Sequence, residues 1–227
     1  MCVGVSQTPG VQCAAATSPS PSGGRSRRAG GVQKKVAQTL RTAQAAYPHQ
    51  RVRLFVQDEG RAGLKPVLMR VWAKVGQRPI AVQHRGFQWL YVYVFVEPVT
   101  GTSDFLILPT VSTAVMQVAL AAFNDAVNPT GRDIIVLLLD GAGWHTSPQL
   151  TVPPTMLLVT FPPYTPELSP AEPLVGRVKR PLANRTFTTL DDVQDVLSHE
   201  CQRLMASPSE VQSLTAFPWI RHALNSC

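Results

Sequence analysis

The sequence predicts a mixed α/β fold, one sheet with helical cover, preceded by a disordered basic tail. Three observations predict it. Strand-length segments separated by short reversals fill residues 51–110, the run "DIIVLLLD" is apolar throughout, and stretches of helical spacing stand between and after these segments.

Residues 1–32, containing "TSPSPSGGRSRRAGG", are too poor in order-forming side chains to offset the entropy of ordering and read as a disordered tail. A linker helix follows within 33–50, over "QKKVAQTLRTAQAA", where Val36, Leu40 and Ala43 share one stripe. "RVRLFVQD" alternates polar and apolar residues and reads as a strand ending at Asp58. "PVLMRVWA" reads as a second strand with a turn at "KVGQRP". "WLYVYVFV" and "DFLILPT" read as a third and a fourth, reversed through "EPVTGTS". "STAVMQVALAAFNDAV" has helical spacing, with Ser112 or Thr113 as its cap. "DIIVLLLD" is predicted to be buried on both faces of the sheet, and "TMLLVTF" to be another such strand. Helices are expected around 172–181 and at 189–205, the latter capped by Thr189.

The net charge of +7 is unevenly placed. Residues 1–50 carry six Lys or Arg and no acid, whereas 15 basic and 14 acidic residues follow from Arg51 onward. A polyanionic partner is suggested by the tail more than by the body. Cys2, Cys13, Cys201 and Cys227 form no CxxC pair and no zinc spacing, as expected of free thiols. There is no apolar signal segment at the N-terminus, and the longest apolar runs are far too short to span a bilayer. These features predict an intracellular protein with no membrane partner.

Three carboxylates stand at the ends of elements. Asp58 closes the first strand, Asp140 closes the buried one, and Glu172 opens a helix after the Pro-rich "PPYTPELSP". The C-terminal ends of buried strands are the usual site position in α/β sheets. If the first strand and the buried strand are neighbours, Asp58 and Asp140 face each other, and two close carboxylates repel unless they share a proton or a cation. Mg²⁺ suits such a set, taking a few carboxylate oxygens and completing its shell with water and phosphate. Each acid also has a plainer reading. Asp58 before "EG" fits a turn, Asp140 before Gly141 fits an Asx-turn, and Ser169 with Glu172 fits a capping box.

The blocks "FVQDEGRAGLKP", "VWAKVGQRP", "LLLDGAGWHTS" and "FPPYTPELSPAEPLVGRVKR" resemble, in that order, successive blocks of bacterial insertion-sequence transposases of the mariner-like superfamily. The resemblance spans about residues 51–205. It implies a ribonuclease H-like sheet flanked by helices, with a catalytic domain over 51–206 and a C-terminal extension over 207–227. It also implies a DDE triad of Asp58, Asp140 and Glu172, which would be both the catalytic residues and the ligands of two Mg²⁺ or Mn²⁺ ions. Glu167 matches a recurrent acid outside that triad. The family reaction is metal-dependent DNA phosphodiester cleavage followed by strand transfer. The partner implied is double-stranded DNA, both transposon ends and target, and the location is bacterial cytoplasm in association with the nucleoid.

His145 is a candidate for a phosphate contact or for steering the nucleophile, against the alternative that it caps or packs locally. Trp144 reads as a packing residue. Arg177, Lys179 and Arg180 in "GRVKR" are candidate phosphate contacts. Two departures from the family pattern stand out. "PLV" follows the third acid where the family usually ends in Leu-Trp, so Val175 is a smaller packing residue and Pro173 could mark the helix start. The 50 residues before the first strand are too few for the usual pair of helix-turn-helix units. The sequence therefore also fits a truncated or frame-shifted remnant retaining only non-specific DNA binding. A homodimer and a separate upstream helix-turn-helix frame are the further partners expected.

Overall fold

Two apolar segments far apart in the chain make the centre of the sheet, because neither can be solvated along either face. These are β1 (Arg51–Gly63) and β4 (Asp133–Leu139), which pair in parallel from Arg51↔Asp133 to Val56↔Leu138. The computed structural model describes residues 22–70, 74–75, 86–162, 165 and 168–225, with side chains described from residue 30 onward. On the other edge of β1, β2 (Trp89–Glu97) runs antiparallel, and β3 (Thr102–Leu108) pairs antiparallel with β2. Beyond β4, β5 (Met156–Thr160) adds a second parallel strand. The order is β3-β2-β1-β4-β5.

Alternation along the strands splits the core into two layers. Odd-numbered Phe55, Phe95, Ile135 and Leu137 face α2 (Thr113–Val127), whose Phe123 stacks on Phe95 at 4.1 Å and meets Phe55 edge-on at 5.1 Å. Even-numbered Leu54, Val56, Val136 and Leu138 face the other helices. Those are α1 (Ser22–Ala46), α3 (Ala171–Lys179), α4 (Leu190–Met205), α5 (Pro208–Thr215) and α6 (Pro218–Asn225). Ser112 caps α2 by accepting from the amide of Val115, and Thr189 forms a full capping box with Asp192 on α4, as the sequence predicts. Among the described residues no helix is long and apolar enough to cross a membrane.

Several expectations need correction. β1 does not stop at Asp58. It continues to Gly63, because Gln57 to Gly63 stay paired with β2 after β4 has ended. The first half of "PVLMRVWA" forms no strand, only an isolated bridge from Val67 to Ala183, and the remainder of it lies outside the described residues. The helix expected over about 33–46 begins at Ser22, inside the segment assigned to the tail. Val32, Val36, Leu40 and Ala43 are buried in the core, so tertiary packing supports it. The segment from 207 holds two further helices with buried Val211, Trp219 and Ile220. The Gly101 turn between β2 and β3 has φ +74° and packs against the backbone of Pro208, so no Cβ fits there.

Candidate active site

The strand register brings the first two acids together. In-phase continuation of the parallel pair Val56↔Leu138 by two residues sets Asp58 opposite Asp140. Both are even-numbered, on the face covered by α3. Glu172 sits in the first turn of α3. All three line one cleft of about 400 Å³, with Gly141, Pro162 and Ser169 around them. The Asp140 side chain is exposed there, while Asp58 is half-buried.

α3 begins at Ala171 without a capping box. Pro170 is the N-cap and no side chain caps the turn, so Ser169 does not play the part its spacing suggested. The Glu172 carboxylate is therefore not spent on a cap and is exposed beside the cleft. Pro173 falls in the first turn, where its missing amide costs nothing, and the helix does not restart at it. Val175 packs directly over Gly60 of β1: a Cβ built on Gly60 would stand 2.5 Å from Val175 Cγ1. This close approach of helix to strand is what sets Glu172 against Asp58.

Burial pushes the Asp58 carboxyl up to about 7, and the negative charges of Glu59, Asp140 and Glu172 add to the rise, against one amide hydrogen bond from Glu59. Asp140 is held below the usual carboxylate range, first by His145 and then by the Ala142 amide. That amide bond, 2.9 Å to Asp140 Oδ1, is the Asx-turn foreseen as an alternative, so the residue both turns the chain and lines the cleft.

His145 is 4 % exposed and fully engaged. Its Nδ1 is 2.7 Å from Asp140 Oδ1 and its Nε2 is 2.8 Å from Glu59 Oε1. Burial opposes its charge, but the hydrogen bonds to Asp140 and Glu59 prevail and raise its pKa to about 9. This placement is that of a local partner, and it leaves neither ring nitrogen for a phosphate. Trp144 packs on the α2-side core and donates from Nε1 to Glu59 Oε1 at 3.2 Å.

Glu59 is the participant the sequence reading missed. It looked like part of a turn, "DEG". Extending the alternation of "RVRLFVQD" one step further would have put it on the face opposite Asp58. Gln57, on the same face as Glu59, is also buried, with neither side-chain amide atom hydrogen-bonded in the protein.

The basic residues separate. Arg177 is bound by Glu200 at 2.6 Å and by Glu210 at 2.9 Å, within a network completed by Arg203 that ties α3 to α4 and α5. Lys179 lines a groove next to the acidic cleft, and Arg180 is exposed. Glu167 lies outside the described residues. Among the described residues no three His, Cys, Asp or Glu side chains form a ready-made metal cluster.

The strand order β3-β2-β1-β4-β5, with acids at the ends of β4's ladder and on the helix packed against β1, defines a ribonuclease H-like fold. Residues 53–194 match the family model of the DDE superfamily endonucleases, and the chain belongs to that family. It is 34% identical over 135 residues to the uncharacterized protein y4pE/y4sA of Sinorhizobium fredii (strain NBRC 101917 / NGR234), covering 58% of this chain and 96% of that protein. Among solved structures it is similar to the pre-cleavage Mos1 transpososome, with a TM-score of 0.60 at 16% identity over 96% of this chain and 67% of that one. It is also similar to the Mos1 mariner paired end complex with Mn, with a TM-score of 0.55 at 17% identity over 97% and 66%. The likeness is one of fold, and the chain spans about two thirds of the Mos1 chains.

Proposed function

We propose that this chain is the catalytic domain of a DDE transposase, with Asp58, Asp140 and Glu172 as its catalytic residues. It would cleave a DNA phosphodiester and join the freed 3′-hydroxyl to target DNA. The observation that supports this reading is that Asp58, Asp140 and Glu172, 82 and 32 positions apart in the chain, line one cleft.

The donor set fits Mg²⁺ or Mn²⁺ in its chemistry. Three carboxylates share one cleft, and a divalent cation offsets both the burial that chiefly raises Asp58 and the repulsion that adds to it. Asp58, Asp140 and Glu172 would hold two such ions, which supply charge neutralisation at the scissile phosphate and an activated water. The chain's own residues do the positioning. His145 engages one oxygen of Asp140 and, through Glu59, anchors the loop after β4 to the floor of the site. Gly141 has open space where its Cβ would be, so a DNA backbone can come close to Asp140.

Double-stranded DNA is the substrate of this reading, in a bacterial cytoplasm. A second copy and a separately encoded helix-turn-helix protein would complete the recognition of transposon ends. The test is nicking of supercoiled DNA with Mn²⁺, together with Mn²⁺ binding by calorimetry. Asp140→Asn and Glu172→Gln should each abolish nicking, and Asp140→Asn should weaken Mn²⁺ binding at least tenfold. Equal metal binding by wild type and Asp140→Asn would sink the assignment, and a wild type that binds metal but does not nick would point to a remnant.

A further inference from the structure

Past Val56, β1 has lost β4 as a neighbour, and among the described residues nothing pairs with that edge of Gln57–Gly63. A groove of about 530 Å³ runs along this edge and shares Asp58 and Glu172 with the acidic cleft, so the two are continuous. Arg61, Lys65 and Lys179 line it, and none of the three makes an ion pair among the described residues. Trp89 closes one side with the guanidinium of Arg61 4.4 Å from its ring centroid. Val175, packed over Gly60, contributes the apolar wall.

A cleft holding three carboxylates repels a polyanion, so a DNA strand needs cations close by to be drawn to it. On the far side of α3, Arg177 is neutralised by Glu200 and Glu210. Arg61 lies three residues beyond Asp58 along β1, about 10 Å at the rise of an extended strand, which is one to three nucleotides of backbone. A basic groove with an aromatic ring beside a guanidinium is a feature of sequence-independent strand binding.

We infer that the groove along the free edge of β1, lined by Arg61, Lys65 and Lys179, is the track along which the DNA strand leaves the acidic cleft. The inference rests on the reading of that cleft as a DNA-processing site. The three cations contact phosphates, and Trp89 with Arg61 flanks the strand without reading its sequence.

The experiment is fluorescence anisotropy of a labelled DNA oligonucleotide with the full chain in EDTA, over a range of salt concentrations. Loss of three phosphate contacts lowers the slope of log K against log salt by about 2 to 3 units. That drop is expected for the triple variant Arg61→Gln, Lys65→Gln, Lys179→Gln. The charge-keeping triple Arg61→Lys, Lys65→Arg, Lys179→Arg should retain the wild-type slope, and a control triple away from the groove (Arg51→Gln, Arg132→Gln, Arg221→Gln) should lose less than one unit. An unchanged slope in the groove variant, or an equal drop in groove and control variants, overturns the inference. Manganese-dependent nicking separates this from the catalytic reading. A groove variant that binds normally while Asp140→Asn fails to nick removes the track and keeps the catalyst. A slope loss confined to the groove variant, in a protein that never nicks, does the reverse.

Discussion

The imidazole of His145 reaches across 2.8 Å to Oε1 of Glu59, tying the loop after β4 to the middle of β1. The same ring holds Asp140 at 2.7 Å, so one buried side chain links the proposed catalytic acid on the outer loop to a strand that cannot move without breaking the sheet. Precision of this kind is what a ligand set for a small cation demands.

The first prediction concerns pH and His145. Its pKa is raised from 6.5 to about 9 in the folded chain, so the stabilisation is complete below about pH 6.5 and is lost as pH rises through 9. The size is on the order of 3 kcal/mol. Urea unfolding from pH 6 to 9.5 should show this decline, and His145→Gln should remove most of it. A wild-type profile as flat as the variant's over that window refutes the doubly bonded imidazolium.

Asp58 gives a second pH dependence of the same sign in a lower window. Its folded pKa of about 7 lies above the ordinary 3.8, so the Asp58 contribution to metal-free stability is greatest below about pH 4 and is lost as pH rises through 7, by on the order of 4 kcal/mol. Asp58→Asn should therefore be more stable than wild type at pH 8 without metal, while losing nicking. Mn²⁺ binding by wild type should strengthen up to about pH 7 and release a proton below it. Calorimetry in two buffers of different ionisation enthalpy reads that proton, and its absence at pH 6 speaks against a raised Asp58.

Gly60 tests the seating of α3. In Gly60→Ala the new methyl would meet Val175 Cγ1 at 2.5 Å, so the stiff Val175 side chain must give way, and a shift of the helix would carry Glu172 with it. A loss of about 1–3 kcal/mol is expected, with nicking down by up to about 100-fold. The double variant Gly60→Ala, Val175→Ala should regain much of both. Failure of that rescue would place the constraint somewhere other than this contact.

Arg177 should behave as a structural residue. Both of its carboxylate partners are on α4 and α5, and Glu200 is buried. Arg177→Gln should cost about 1–3 kcal/mol in urea unfolding and leave the salt slope of DNA binding at the wild-type value. A slope reduced by about one unit would restore it to the phosphate contacts.

Much of the sheet was legible because a strand's burial is written in its period. "DIIVLLLD" read as a strand buried on both faces, and "WLYVYVFV" with "DFLILPT" as two strands reversed through "EPVTGTS", and the structure has both. The caps Ser112 and Thr189 were legible because they act within four residues. Ser169 misled for the same reason: local spacing favoured a box, but the turn entering α3 begins at Pro170 and no side chain closes it. Residues 66–70 have strand propensity but no neighbour to pair with beyond one bridge, and propensity without a partner does not make a strand.

The amino-acid order by itself determined that Asp58, Asp140 and Glu172 stand at or beside apolar strands and a helix start, since hydrophobic period and turn chemistry are local. Only the tertiary structure decided that Asp58 and Asp140 line one cleft, that Glu59 and His145 meet across 86 positions of chain, and that Arg177 is neutralised while Lys179 lines a groove. Register between non-adjacent strands and the docking of one helix on another depend on the packing of the whole core, in which Val175 over Gly60 is one contact among many.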